Sequence, residues 1–456
     1  MIRKLLPVFI VVAWLLVPEQ TSAHGIGEVY SLPVPLEYYL LGSATAVGVS
    51  FLLFASLLNK QPSGITPDRT IYLPWLPKAL LTARMLTLGL LLTMIFAGIL
   101  GEQTPSLNFG PVYFWIFFLL GFSVLSVLVG NIWQYISPFK TVSDLLRLQP
   151  GPEGPTKTVY WWLPAVALLI LLWWELLSGF SYIPLYVGGV LLVYTLANPY
   201  LATIYKDWFA RGELFAALFN AIGSMAYVRI GDDKKSLIIT KPARRAANHT
   251  ASKSTLLLAS VLLAGASFDS VRETVIWSDL LRTIGIAGSQ GMLWANTIGL
   301  ALSPLPFLLT FLLAIKIMQK VTGNVRGWRE LAGYFTWSLL PIAFGYTLAH
   351  NFALALTSLP AMLGALSDPF GWGWNLFGTA SLRNAPLLLG AKAIWFIEIA
   401  FVVLAHVVGV WFAHAIALRT FKGKQEIARS QYPMVVLMLV FTVMTLWLLS
   451  QVIVSD

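Results

Sequence analysis

Imidazoles and carboxylates are the groups through which an apolar chain can move protons or hold metal, and few of them occur here. Of five histidines, His249 falls in a basic, solvated stretch, while His24, His350, His406 and His414 lie in or beside long hydrophobic runs. His24 follows a segment with Arg3 and Lys4, an apolar run from Leu5 to Val17, and then Pro18-Glu19-Gln20 and Thr21-Ser22-Ala23. That is the plan of a secretory signal peptide with small residues before the cut. Cleavage after Ala23 would make His24 the mature N-terminus, where an α-amine and an imidazole together suit copper.

Depth along a helix follows from its rise of about 1.5 Å per residue. Counted from the basic ends of their hydrophobic runs, His350 lies ~28 Å, Asp269 ~22 Å and His406 ~20 Å deep, all in the outer half of a bilayer. Glu398 lies near the outer boundary of the run that carries His406, whereas His414, at ~7 Å, belongs to the other half. Ionisable groups inside spans are costly and mark interior, often functional positions. The set His24, His350 and His406 therefore reads as a nitrogen-rich copper or zinc site, with Asp269 or Glu398 as catalytic base, ligand or orienting partner. The plainer alternative makes the histidines helix-to-helix hydrogen-bond partners, and no HxH or HExxH spacing speaks against it. Arg84 reads as snorkelling or paired with an inner carboxylate, and Met434, Met438 and Met444 as packing residues.

The elements that must position these groups are membrane helices. The chain has 456 residues, 57% hydrophobic and only 11% charged, far below the roughly 25% charged of a soluble domain. Apolar runs of helical span length recur throughout, whereas a membrane β-barrel would show short alternating segments. The expected class is all-α, a polytopic bundle of about ten spans after the signal peptide. They fall near 36–58, 79–101, 111–136, 159–178, 182–205, 254–268, 291–317, 331–356, a ninth run ending at Arg419, and 433–454. The division is a signal peptide (1–23), an N-terminal bundle (24–205), a basic cytoplasmic loop (206–253) and a C-terminal bundle (254–456). Within the loop, Leu214, Leu218, Ile222 and Met225 share a helix face, which fits an interfacial helix or, equally, a buried one. The stretch 358–386, with Ser367-Asp368-Pro369-Phe370-Gly371-Trp372-Gly373-Trp374, reads as an ordered outer lid at headgroup level.

Net charge is +10, but its distribution points to a lipid bilayer and not to nucleic acid. Apart from Arg3 and Lys4, only Arg272, Arg282, Arg383 and Lys392 of the 30 Lys and Arg fall in or near outer segments. By the positive-inside rule, a bacterial inner membrane would hold the chain with both mature termini in the periplasm. The absence of cysteine excludes disulfides, thiolate zinc sites and thiolate-held clusters.

The string His24-Gly25-Ile26-Gly27-Glu28, then Tyr30 and Leu32-Pro33-Val34-Pro35-Leu36, resembles the mature start of a bacterial membrane-protein family labelled fenitrothion hydrolase. The strings Ser367 to Thr379 and Ala405 to Leu418 resemble the same family. The resemblance implies hydrolysis of a lipophilic phosphotriester substrate, transfers no catalytic residue, and fits a metal that polarises the phosphoryl oxygen. Two other functions fit the same residues: a copper-handling protein that transports copper or delivers it to a respiratory enzyme, and a structural or assembly subunit of a membrane complex.

Overall fold

Helices carry most of the chain in the computed structural model, which describes residues 34–57, 69–151, 161–384 and 389–452. The expected signal peptide and His24 lie outside the described residues. In order, the main helices are α1 (Leu36–Leu57), α2 (Leu76–Leu100), α3 (Phe109–Val129), α4 (Leu163–Leu177), α5 (Pro184–Ile204) and α6 (Leu214–Gly223). They continue as α7 (Lys253–Arg272), α8 (Gly288–Val321), α9 (Trp328–His350), α10 (Phe352–Ser367), α11 (Ala391–Thr420) and α12 (Lys424–Val452). Among the described residues, eight helices are long and apolar enough to cross a membrane, and the bent pair α9–α10 makes a ninth. The protein is an all-α polytopic membrane bundle. The remaining expected span is α4, whose 15 residues rise only about 22 Å, short of a hydrocarbon core of about 30 Å.

Local chemistry sets the breaks. The Asn108 side chain caps α3 by accepting from Gly110 N at 2.9 Å, and its amide donates to Ala97 O and Glu102 O, both at 2.8 Å. Gly130, at φ 76°, ends α3 in a conformation that only glycine adopts freely. α8 is interrupted at Ser303-Pro304, the expected proline kink. α2 and α5 touch through Gly98 and Gly188; a Cβ on Gly98 would lie 2.6 Å from Pro184 O, so the pair permits close helix approach.

The loops expected on one face do meet there. Strands β1 (Arg69–Tyr72), β2 (Val228–Ile230) and β3 (Ser236–Ile239) form an antiparallel sheet in the order β1-β3-β2. It ties the basic segment before α2 to the basic segment after α6. The latter is not the plain loop expected of so polar a stretch, since it carries this hairpin and the short helix Pro242–Asn248. In the hairpin turn, the N–H of Lys235 and the hydroxyl of Ser236 both donate to the Asp233 carboxylate and hold its pKa below the usual value. Arg84 pairs with Asp144 on the short helix Pro138–Leu145, and its Nε donates to Thr141 Oγ1 at 2.8 Å. The carboxylate partner expected for Arg84 is thus present.

Of the two alternatives open for the helix in the basic stretch, the interfacial one does not hold and the buried one does: every residue of α6 but Asn220 is buried, and it packs against α3, α4, α7 and α9. The stretch 358–386 is not wholly loop, because α10 continues to Ser367 with Pro360 inside it. From Asp368 to Asn384 the described segment is held by hydrogen bonds. Asp368 Oδ1 and Oδ2 accept from Trp372 N and Gly373 N, each at 2.9 Å, and Glu102 N donates to Phe370 O at 2.8 Å. α1 packs chiefly against α11 and α12, at the far end of the chain.

Candidate functional site

Asp269 and His350 do come together. His350 Nε2 and Asp269 Oδ2 are 2.8 Å apart, and Arg272 Nε and Nη2 each lie 2.9 Å from Asp269 Oδ1. A carboxylate held by an arginine accepts from the imidazole, so Nε2 carries the proton and Nδ1 has its lone pair free in the neutral ring. That Nδ1 is buried and has no hydrogen-bond partner among the described residues.

Both residues line a cavity of about 110 Å³ among α3, α4, α6, α7 and α9. The Glu175 carboxyl also lines it. Sequence reasoning missed this residue, and its side chain has no hydrogen-bond or ion-pair partner among the described residues. A lone carboxylate within an apolar run, flanked here by Trp173 and Trp174, was the available signal, since such residues default to functional positions.

The backbone around this cavity is irregular on three sides. Trp115, Leu119 and Leu120 reach it from a π-helical stretch, Tyr113–Gly121, within α3; such stretches occur often at functional sites. On α9, the helix stops at His350 and resumes as α10 after a 55° bend at Asn351, and both His350 and Asn351 are wall residues. α4 ends two residues after Glu175. Non-helical or interrupted backbone at membrane depth is tolerated where it lines a cavity.

Electrostatics gives the cavity a sign. Glu175 lies in the last turn of α4, Asp269 in the last turn of α7, and His350 is the last residue of α9. The negative ends of three helix dipoles therefore meet at one end of the space, where they favour a cation. Arg272 offsets part of this by pairing with both Asp269 and Glu273, the latter at 3.2 Å.

The remaining candidates lie elsewhere. His406 is fully buried; its Nδ1 donates to Val402 O at 2.8 Å, which leaves a buried Nε2 without a partner. Glu398 is buried on the same helix, and neither residue lines the cavity. His414 Nδ1 bonds Gln431 Oε1 at 2.8 Å, consistent with its exclusion from the outer set. Among the described residues no group of three or more His, Asp or Glu side chains is placed to hold a metal ion.

Comparison with known proteins returned nothing: no family model, no curated protein and no solved structure matches the chain.

Proposed function

We propose that this protein is a membrane carrier for a small cation, with the Glu175–Asp269–His350 cavity as its binding site. The observation that carries the reading is the unpartnered Glu175 carboxyl facing the same cavity as the Asp269–His350 pair, at the meeting point of three helix C-termini. Ionisable residues inside spans and interrupted helices at membrane depth are together the marks of ion and proton pathways. Glu175 supplies the carboxylate that a cation needs and gives up its proton when the cation binds. Asp269, held by Arg272, fixes the His350 imidazole at the cavity wall.

A cavity of about 110 Å³ has room for several waters, which suits a hydrated metal ion or a small polyatomic cation. The hydrolase reading rests on the sequence resemblance alone. Copper and zinc stay within the proposed cation class, with His350 Nδ1 and His24 as the nitrogen donors. With the basic loops in the cytoplasm of a bacterial inner membrane, the cavity faces the periplasmic half.

The test is proton movement in proteoliposomes loaded with a pH-sensitive dye, driven by gradients of copper, zinc, ammonium or an alkali cation. At least one gradient should move protons in the wild type and fail to do so in Glu175→Gln. Flux that is equal in the two proteins, or absent from the wild type with every cation, would sink the reading. Metal analysis of wild type against His24→Ala tells a copper or zinc site that uses the N-terminus from one that does not.

A further inference from the structure

The cavity that holds Glu175 is polar at one end only, and its depth follows from the helices around it. Gly265 on α7 faces Leu172 on α4, where an added Cβ would lie 2.7 Å from Leu172 Cδ1. Glu175 stands three residues beyond Leu172, and Asp269 stands four beyond Gly265. The two helices therefore run the same way past the cavity and bring both carboxyls to one end of it. There α9 stops, with Thr347, His350 and Asn351 in the wall and His350 bonded to Asp269.

Below that end the wall is hydrocarbon. α4 contributes Leu168, Leu171 and Leu172, α7 contributes Leu262, and α6 reaches in with Leu218. Leu168 and Leu262 each precede the acid of their helix by seven residues, a depth of about 10 Å. α3 runs the other way. Its Trp115 belongs to the acid end, where the indole N–H donates to Ser181 O at 2.8 Å just beyond α4. Leu119, Leu120 and Ser123 follow it into the leucine-lined part. The Ser123 hydroxyl donates to Leu119 O at 2.6 Å, so its proton is already used.

The acid end suits a charged group with several N–H donors. Asp269 is held by Arg272 and His350, and Thr347 Oγ1 donates to Ala343 O at 2.9 Å. The Glu175 carboxyl and His350 Nδ1 remain as acceptors without a partner among the described residues. The indole of Trp115 lines the same end, and aromatic surfaces attract ammonium groups. A metal ion would engage this end and leave about 10 Å of leucine wall unused. A neutral alcohol would give Glu175 no counter-charge.

We propose, resting on the carrier reading of this cavity, that its cation is a primary alkylammonium. The head group lies on Glu175 and His350, and the hydrocarbon chain lies along the leucines of α3, α4 and α7. Three N–H donors serve the two open acceptors, and the ammonium replaces the proton that Glu175 gives up.

The experiment is isothermal titration calorimetry of the full chain in detergent with ammonium, butylammonium, hexylammonium and neutral hexanol. Glu175→Gln in the same detergent controls for uptake by the micelle. Burying a methylene tightens binding about fourfold, so hexylammonium should bind at least tenfold more tightly than ammonium, with butylammonium between them. Hexanol should bind far more weakly than hexylammonium, and Glu175→Gln should abolish hexylammonium binding. Leu171→Trp, or Leu262→Phe should the first variant fail to fold, fills the leucine-lined part and should bring hexylammonium down to the affinity of ammonium. No binding of hexylammonium, an affinity equal to that of ammonium or hexanol, or binding unaltered in a folded filling variant would overturn the alkylammonium. Binding that persists in Glu175→Gln would overturn the head-group site. Glu175-dependent binding of hexylammonium without cation-driven proton flux would support the ligand and sink only the carrier reading.

Discussion

Two carboxylates inside the bundle, the buried Glu213 and the half-buried Glu175, stand in opposite conditions. Glu213 is wholly buried at the N-terminus of α6 and is fully occupied. Its oxygens accept from Phe215 N at 2.9 Å, Ala216 N at 2.7 Å, Tyr194 OH at 2.5 Å and Trp133 Nε1 at 3.2 Å. The positive end of the α6 dipole adds to these donors. Glu175 has none of this: it stands near a negative helix end, faces a cavity and has no partner among the described residues. A buried acid whose every lone pair is used is part of the scaffold, and one left open in a cavity is available to a ligand.

The contrast breaks most sharply at Glu213. Replacing it with alanine removes the cap of α6 and strands a tyrosine hydroxyl, an indole N–H and two backbone N–H groups at once. At about 1–3 kcal/mol per stranded group, partly relieved by relaxation, the loss should reach about 3 kcal/mol or more. Thermal unfolding in detergent measures it. A drop below about 1 kcal/mol would mean that Glu213 is no more structural than Glu175. Asp269→Ala should come next, at about 2 kcal/mol, because it strands the His350 imidazole while Arg272 keeps Glu273 as a partner. Stability equal to wild type would place the Asp269–His350 contact outside the scaffold.

Metal sharpens the same comparison by a route that hardly touches stability. If the cation is copper or zinc, His350→Ala should lower bound metal by tenfold or more, since it removes a nitrogen donor of the cavity, whereas His406→Ala should leave it unchanged. Elemental analysis of the purified proteins reads the difference, and equal metal in all three would take His350 out of the site.

Much of this was legible in the sequence, and the limits were physical. Hydropathy and the placement of Lys and Arg gave the spans, because a bilayer admits few solutions for a chain this apolar. Depth counting brought Asp269 to His350 because both sit on helices that run the same way from the same face. Arg84 announced its partner by being a cation one turn inside a span. The amphipathic spacing of α6 was real but ambiguous: Leu214, Leu218 and Ile222 form a stripe, yet alanines and phenylalanines fill the other faces, and only its neighbours show that all sides are covered. Pro360 disguised α10 as loop, although a proline is tolerated where adjacent helices support the backbone. The roles of Glu175 and Glu213 could not be read locally. Each depends on what other helices bring to it, a cavity wall from α3 and α7 in one case and Tyr194 with Trp133 in the other.

The smallest effect on stability should come with the largest effect on function. Glu175→Gln keeps the shape of the side chain and removes a carboxyl whose ionised form nothing in the described structure compensates. Burying an unpaired carboxylate is costly, so its neutral isostere should leave stability within about 0.5 kcal/mol of wild type or raise it. Cation-driven proton flux should nevertheless vanish, because an amide can neither release a proton nor offer a carboxylate to the cation at the end of the cavity where the three helix C-termini meet. Thermal unfolding and flux measured on the same preparation separate the two contributions. A variant that loses stability as Glu213→Ala does would make Glu175 a scaffold residue with an unseen partner, and the contrast between the two acids would disappear. A variant that is stable and still conducts would leave the cavity polar but idle.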